Sequence, residues 1–282
     1  MRIVPLGAHL GAEVEGVDLS SVIGENLAAE LRQALADRQV LFFRQQPLSA
    51  QQQLGLARVF GEPMIDAHPK FGCVDGIEEV SLVVNDRDNP PDINVWHTDT
   101  TFRDPPAGTC VLHCVEKPLD GSGDTIWASM FAAYDRLSEP MKAFLGPLRA
   151  YHQLPLDGRP PELLQTVMGK PISATHPVIR WVPEAKRNVL FVNRVYTQRI
   201  EGLSREESDA VLAGLFAIAE SPDHQYRYSW QVGDTAIWDN RSTQHFAVAD
   251  YWPQRRVMHR VAVAGEPVIA ANHSGKENSW LG

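Results

Sequence analysis

Apolar positions in the first third of the chain recur at two different periods. Leu27, Leu31 and Leu35 fall at helical spacing between Glu25 and Arg38 and predict a helix. It runs into Val40-Leu41-Phe42-Phe43, which reads as a short buried strand. Ser49 and Gln52 then stand in capping-box positions for a helix to about Val59, stopped by Gly61 and Pro63. Beyond this point the pattern becomes strand-like and rich in turns. Strands are predicted over Val80–Val84, Thr109–Val115, Thr125–Ala128, Val189–Val192, Tyr226–Gln231, Asp234–Trp238 and Val257–Val263. A helix over Ser204–Glu220, with Ser204 and Glu207 as its capping box, interrupts the series. Many short strands with a few helices predict a mainly β fold with helical insertions (α+β), a sandwich or a barrel. Regular βα alternation, the mark of a doubly wound sheet, is missing, and Gly121-Ser-Gly-Asp-Thr matches neither nucleotide-binding glycine fingerprint.

Composition narrows the function. The 282 residues are 44% apolar and 22% charged, enough for a sizeable core, and no repeat, low-complexity tract or long linker divides them. A net charge of −9 argues against nucleic-acid binding, which calls for a basic patch. No run of apolar residues is long enough for a membrane span, and the start of the chain carries no signal-peptide pattern. Three cysteines, Cys73, Cys110 and Cys114, are too few for a disulfide framework. A cytoplasmic protein without membrane or nucleic-acid partners is expected.

The densest ligand chemistry lies in Asn94-Val-Trp-His-Thr-Asp-Thr-Thr-Phe. On a strand, His97 and Asp99 would share a face, as two metal ligands or as a hydrogen-bonded surface pair. His245, at the end of Trp238-Asp-Asn-Arg-Ser-Thr-Gln-His, adds a second imidazole. Two histidines and one carboxylate make the facial set that suits non-haem Fe(II) and leaves positions open for an oxidisable ligand and dioxygen. Starting the last strand one residue early puts Arg256, Met258 and Arg260 on one face, with forks suited to carboxylates. Cys110, His113 and Cys114 have zinc-like identities, but no second pair accompanies them, and Cys110, Leu112 and Cys114 alternate as a core strand would.

Five motifs in one order resemble the taurine dioxygenase family of Fe(II)/2-oxoglutarate-dependent enzymes. They are Trp-His-Thr-Asp-x-Thr-Phe at Trp96, Gly-Asp-Thr-x-Trp at Gly123, Leu-Phe-Val-Asn at Leu190, Trp-Asp-Asn-Arg-x-Thr-Gln-His at Trp238 and Gln-Arg-Arg-x-Met-His-Arg at Gln254. The resemblance begins at Pro5 and runs to about Ala264, so it implies a single catalytic domain over residues 1–282. It implies a double-stranded β-helix, the cupin-like jelly-roll barrel. By position, His97, Asp99 and His245 match the family's iron ligands, and Thr125 and Arg256 match the pair holding the distal carboxylate of 2-oxoglutarate. Arg260 matches an arginine that meets the substrate anion or the cosubstrate's first carboxylate. The implied reaction couples decarboxylation of 2-oxoglutarate to succinate and CO2 with hydroxylation of a small anionic substrate by dioxygen. A homo-oligomer, dimer or tetramer, is expected.

The resemblance thins at the substrate. The sulfonate-binding histidine of the taurine enzymes falls at Asp66, with His68 close by, and their asparagine falls at Ile93. Asp92 matches an acidic residue near taurine's amine, and Tyr196 stands where those enzymes carry phenylalanine. Isoleucine in place of a polar group makes the pocket more apolar, which favours an alkyl or aryl sulfonate, sulfate ester or carboxylate. Taurine itself, released as sulfite and aminoacetaldehyde, is the alternative substrate. Two other classes compete: a catalytically silent jelly-roll binding protein, which would lack an intact ligand set, and a zinc hydrolase, which would have no use for Thr125 and Arg256.

Overall fold

Val40–Phe43 is buried at all four positions, and its two faces go to different places. Leu41 and Phe43 pack with Leu31, Leu35, Leu54, Val111, Ile237 and Val261. Val40 and Phe42 pack instead with Trp127, Tyr228, Trp230, Trp238 and Met258. A strand covered on both faces reads as an unbroken apolar run, and this one lies within a large sheet.

The computed structural model describes residues 1–65, 71–155 and 172–271. Its first part runs β1 (Arg2–Pro5), β2 (Ala12–Glu15), α1 (Glu25–Arg38), β3 (Val40–Phe43), α2 (Ala50–Arg58), β4 (Pro63–Met64), β5 (Gly72–Val74), β6 (Ile77–Asn85) and β7 (Thr109–Glu116). The middle adds β8 (Thr125–Ser129), α3 (Met130–Asp135), α4 (Glu139–Leu145), β9 (Arg149–Gln153), β10 (Ser173–Pro177), β11 (Ile179–Val182), β12 (Arg187–Leu190) and β13 (Thr197–Ile200). The last part is α5 (Arg205–Ala219), β14 (Gln225–Tyr228), β15 (Thr235–Asp239), β16 (Thr243–Ala247), β17 (Arg256–Val263) and β18 (Ile269–Ala270). Among the described residues, no helix is long and apolar enough to cross a membrane.

The largest sheet has nine strands, ordered β1-β2-β3-β15-β7-β17-β6-β5, with β4 also on β17. All its pairings are antiparallel except β2 with β3. Helices α1 and α2 cover one face through the cluster around Leu31 and Leu54. The sheet β14-β8-β16 packs on the other through Trp127 and Tyr228. Phe42 sits at this junction, stacked on Tyr228 at 4.0 Å and edge-on to Trp127 at 5.4 Å. Along β17 the alternation sends Val261 and Val263 to the helix side and Met258 and Ala262 to the inter-sheet side. Arg256 and Arg260 share the parity of Met258 and so belong to the inter-sheet face. A third cluster joins α3, α4 and α5 to β11 and β12.

Both capping boxes form, at Ser49/Gln52 and at Ser204/Glu207, and β17 begins at Arg256. Three expectations need correction. The stretch Asn94–Phe102 is not a strand: His97 makes an isolated bridge and a turn begins at Asp99. The strand expected over Val189–Val192 is Arg187–Leu190, because the Asn193 side chain accepts the Tyr196 N–H and Thr197 accepts the Asn193 N–H, curling the chain. The strand expected to reach Gln231 stops at Tyr228, because the Asp234 carboxylate accepts the Gln231 N–H and the Tyr228 hydroxyl and turns the chain.

Substitution Phe42→Ala, which opens the junction between the sheets, is expected to cost about 3–5 kcal/mol. Ser204→Ala, which removes one cap, is expected to cost about 1 kcal/mol. Urea unfolding at neutral pH checks both; equal losses would contradict the assignment of the core to the inter-sheet layer.

Candidate functional site

Two segments that carry candidate ligands meet through their backbones. His245 lies on β16, and His97 pairs with it in an antiparallel bridge, with N–H to carbonyl distances of 3.0 and 2.8 Å in the two directions. The imidazole rings lie 4.1 Å apart. His97 Nδ1 is 2.7 Å from the Val95 carbonyl oxygen. A carbonyl only accepts, so Nδ1 is the donor, and in the neutral ring Nε2 then keeps its lone pair. That Nε2 faces Asp99 Oδ1 at 3.6 Å, and His245 Nε2 is 3.9 Å from Asp99 Oδ2. One ligand atom from each of His97, Asp99 and His245 lies within 4.8 Å of the others, a grouping found nowhere else among the described residues.

Asp99 joins the histidines by a turn rather than by strand alternation. Thr100 follows it at φ 56°, a left-handed conformation uncommon for a β-branched residue. The turn is held by its neighbours: the Ala107 N–H donates to Thr100 Oγ1 at 2.8 Å, and Asn193 donates to Thr101 Oγ1 at 3.0 Å. Buried His176 Nε2 lies 2.9 Å from the Thr101 carbonyl and 3.0 Å from that of Arg103. Asn193 and His176 lie far along the chain from this turn, so no local pattern in the sequence announces their support.

Burial alone would raise the Asp99 pKa, but the charge of the adjacent Arg260 guanidinium holds it well below the usual carboxylate range. Arg260 Nη2 lies 3.0 Å from Asp99 Oδ2 and 3.6 Å from Cys110 Sγ. The Cys110 thiol in turn lies 3.4 Å from the same carboxylate oxygen. Burial and the nearby His97 bring the His245 pKa down to about 3, against the pull of Asp99. The set is therefore a neutral imidazole with an ionised carboxylate, the protonation state that metal binding requires. Trp127 and Trp238 stand 6.5 and 5.0 Å from the His245 ring and shield it from water.

The second predicted pair occupies the same inter-sheet layer. Arg256 is buried, its Nε has no hydrogen-bond partner, and its guanidinium lies 5.7 Å from the Tyr251 ring centroid. Gly123 makes room for it: with φ +84°, a Cβ there would sit 3.1 Å from Arg256 Cδ. This brings Arg256 against the segment Gly123-Asp124-Thr125. Thr125 is buried, and its hydroxyl oxygen accepts the Trp230 indole N–H at 3.0 Å, leaving its own proton to donate. A buried guanidinium nitrogen without an acceptor fits a cavity built for a carboxylate.

The substrate candidates are less gathered. Tyr196 is buried, its ring 5.2 Å from that of Phe102, in a small cluster with Leu154. Asp92 is exposed and Ile93 half-buried in the loop before His97; the Asp92 charge acts on Tyr251, beside Arg256. Asp66 and His68 lie outside the described residues. The Cys110/His113/Cys114 set does not close on a metal: His113 Nδ1 instead meets Thr235 Oγ1 at 2.9 Å.

The family described as "Taurine catabolism dioxygenase TauD, TfdA family" matches residues 2–262. The chain is 36% identical to an "Alpha-ketoglutarate-dependent sulfate ester dioxygenase" of Pseudomonas putida, over 96% of this chain and 92% of that protein. It is 35% identical to an "Alkylsulfatase" of Acinetobacter baylyi, over 96% of this chain and 87% of that protein. The crystal structure of a taurine dioxygenase from Burkholderia xenovorans superposes with a TM-score of 0.83 at 32% identity, covering 95% of this chain and 92% of that one.

Buried neutral histidines make the protein acid-sensitive. Burial, with His259 adding to it, lowers the His113 pKa to about 4. A lowered histidine pKa gives stability that is full above the unfolded value and is lost as pH falls through it. From pH 7 to 5 His113 is expected to cost about 2 kcal/mol. Unfolding free energies of metal-free protein at the two pH values, compared with those of His113→Gln, check this; equal pH dependences would contradict it.

Proposed function

The chain belongs to the taurine catabolism dioxygenase TauD, TfdA family, and from that premise we propose that it is an Fe(II)- and 2-oxoglutarate-dependent dioxygenase acting on a small anionic substrate. The observation that carries the reading is the pairing of the neutral-imidazole and carboxylate cluster with a buried arginine whose Nε lacks an acceptor. His97, His245 and Asp99 would hold the metal, and three protein ligands leave the remaining positions for small molecules. The bound metal supplies dioxygen activation coupled to decarboxylation of 2-oxoglutarate to succinate and CO2.

The protein's own groups do the rest. Arg256 offers a fork and Thr125 a hydroxyl to the distal carboxylate of 2-oxoglutarate. Leaving that carboxylate buried and unpaired would cost on the order of 3–5 kcal/mol, so the pair decides cosubstrate affinity. Arg260, already within reach of the metal-binding carboxylate, places a fixed positive charge where an anionic group of substrate or cosubstrate would dock. The indoles of Trp127, Trp230 and Trp238 exclude water from the layer behind the ligands.

For the substrate, a sulfate ester or sulfonate comes first, with a carboxylate next. Support comes from the sulfate ester dioxygenase and the alkylsulfatase among its relatives, and from the apolar Ile93 at the position where the taurine enzymes carry an asparagine. Hydroxylation of the carbon bearing the sulfur or ester oxygen yields an unstable product, which releases sulfite or sulfate and leaves an aldehyde. Asp66, His68 and Asp92 complete the candidate lining. The wider reading is one catalytic domain over 1–282, a double-stranded β-helix, assembled as a homo-oligomer in the cytoplasm; the two face-to-face sheets with the ligands between them support its fold.

Asp99→Ala and His245→Ala are each expected to abolish substrate-dependent succinate formation, and normal turnover in either would end the ligand assignment. Arg256→Ala is expected to raise the KM for 2-oxoglutarate about 100-fold or more, and Arg256→Lys far less. Equal effects in steady-state assays would argue against a two-pronged contact.

A further inference from the structure

We infer that Asn240 is a positioning residue that fixes Asp99 for metal capture. The inference rests on the metal reading above but concerns a side chain outside the ligand set. Asn240 is almost fully buried and spends its whole amide on two backbone segments. Its Oδ1 accepts the Asp99 N–H at 2.9 Å, and its Nδ2 donates to the Asp99 carbonyl at 3.0 Å and to the Ala107 carbonyl at 2.8 Å. The reversed amide would set an NH2 against an N–H and an oxygen against two carbonyls, so the orientation is fixed by its partners. Both main-chain groups of the residue bearing the carboxylate are thus held by one side chain, 141 positions away in sequence.

Asn240 is itself held. Asp239 Oδ1 accepts the Arg241 N–H and Nε–H, each at 2.9 Å, and Arg241 Nη1 reaches Glu184 at 2.8 Å. Thr243 Oγ1 donates to the Asp239 carbonyl at 2.9 Å, and the Asn240 N–H donates to Gly108 at 3.0 Å. The short loop between β15 and β16 is therefore a braced bracket whose far end carries His245. One element supplies a ligand directly and sets the backbone of a second. Asp99 needs this help more than the histidines do, since it sits in a turn beside left-handed Thr100, with no strand to fix its direction. Partners that orient a metal ligand typically change metal affinity by about 10–100-fold when removed.

The test uses the full chain and Mn(II) alone. Mn(II) binding, followed by calorimetry or by loss of the free-ion electron paramagnetic resonance signal, is measured for the unaltered protein, Asn240→Ala, Asn240→Asp and Thr98→Val. Asn240→Asp keeps the shape but turns an oxygen toward the Asp99 and Ala107 carbonyls. Thr98→Val removes the neighbouring bond from Thr98 Oγ1 to the Thr243 carbonyl, at 2.9 Å, without touching Asp99. Both Asn240 variants are expected to bind Mn(II) about 10-fold or more weakly, and Thr98→Val to stay within about threefold. Equal weakening in Thr98→Val would reduce Asn240 to general packing, and Asn240 variants within about twofold of the unaltered protein would overturn the inference. Failure of the unaltered protein to bind Mn(II) would instead overturn the metal reading, and this inference with it. Should the Asn240 variants not fold, hydrogen exchange in the unaltered metal-free protein decides: a slowly exchanging Asp99 amide supports the clamp, and a freely exchanging one overturns it.

Discussion

The rest of the structure is arranged around the buried negative charge of Asp99. An ionised carboxylate taken out of water costs several kcal/mol unless it is paired and hydrogen-bonded. Here Arg260 sits 3.0 Å from one oxygen and the His97 and His245 imidazoles flank the two oxygens at 3.6 and 3.9 Å. The surrounding burial keeps His245 neutral, so it offers a lone pair instead of a competing positive charge. The fixed guanidinium of Arg260 and the carboxylate of Asp99 are close to charge balance before any ion enters. Adding a divalent cation then creates the net positive charge that an anionic chelating acid needs.

The architecture follows from what this cluster demands. Its members come from three widely spaced segments: the turn at 97–99, strand β16 and strand β17. Period-two alternation on β17 sends Arg256, Met258 and Arg260 to the inter-sheet face, while Val261 and Val263 seal the sheet against the helices. The aromatic layer of Phe42, Trp127, Tyr228, Trp230 and Trp238 gives that face its cohesion and keeps it dry, so the polar contacts act in a medium where they are strong. Gly123 keeps room in this layer for Arg256, since any side chain there would press on it.

Local features were readable from the sequence. The helix over Glu25–Arg38 and the capping boxes at Ser49 and Ser204 depend on residues within a few positions of one another. His97, Asp99 and His245 were found as candidates, and the structure brings them together, but not by the expected strand geometry. The turn depends on Asn240, Asn193 and His176, whose partners are remote, and no periodicity announces such contacts. Asn240 was in plain view within Trp238–His245, yet only its hydrogen bonds distinguish it from a surface loop residue. The Arg260–Asp99 contact escaped for the same reason. Strands that end in side-chain-to-backbone turns, at Asn193 and at Asp234, were read as too long or shifted, because the apolar pattern continues past the point where the backbone leaves the sheet.

The central claim is that the cluster and the buried arginine together make an oxygen- and 2-oxoglutarate-dependent catalyst for small anions. The most direct measurement follows oxygen uptake and succinate release with Fe(II), 2-oxoglutarate and a panel of alkyl sulfates, sulfonates and carboxylates. The account predicts equal amounts of oxygen consumed and succinate formed, stimulated by a sulfate ester or sulfonate, with sulfate or sulfite released in step. Release of sulfate without oxygen or 2-oxoglutarate would contradict it in favour of hydrolysis. No turnover at all, even uncoupled, would contradict it in favour of a binding protein.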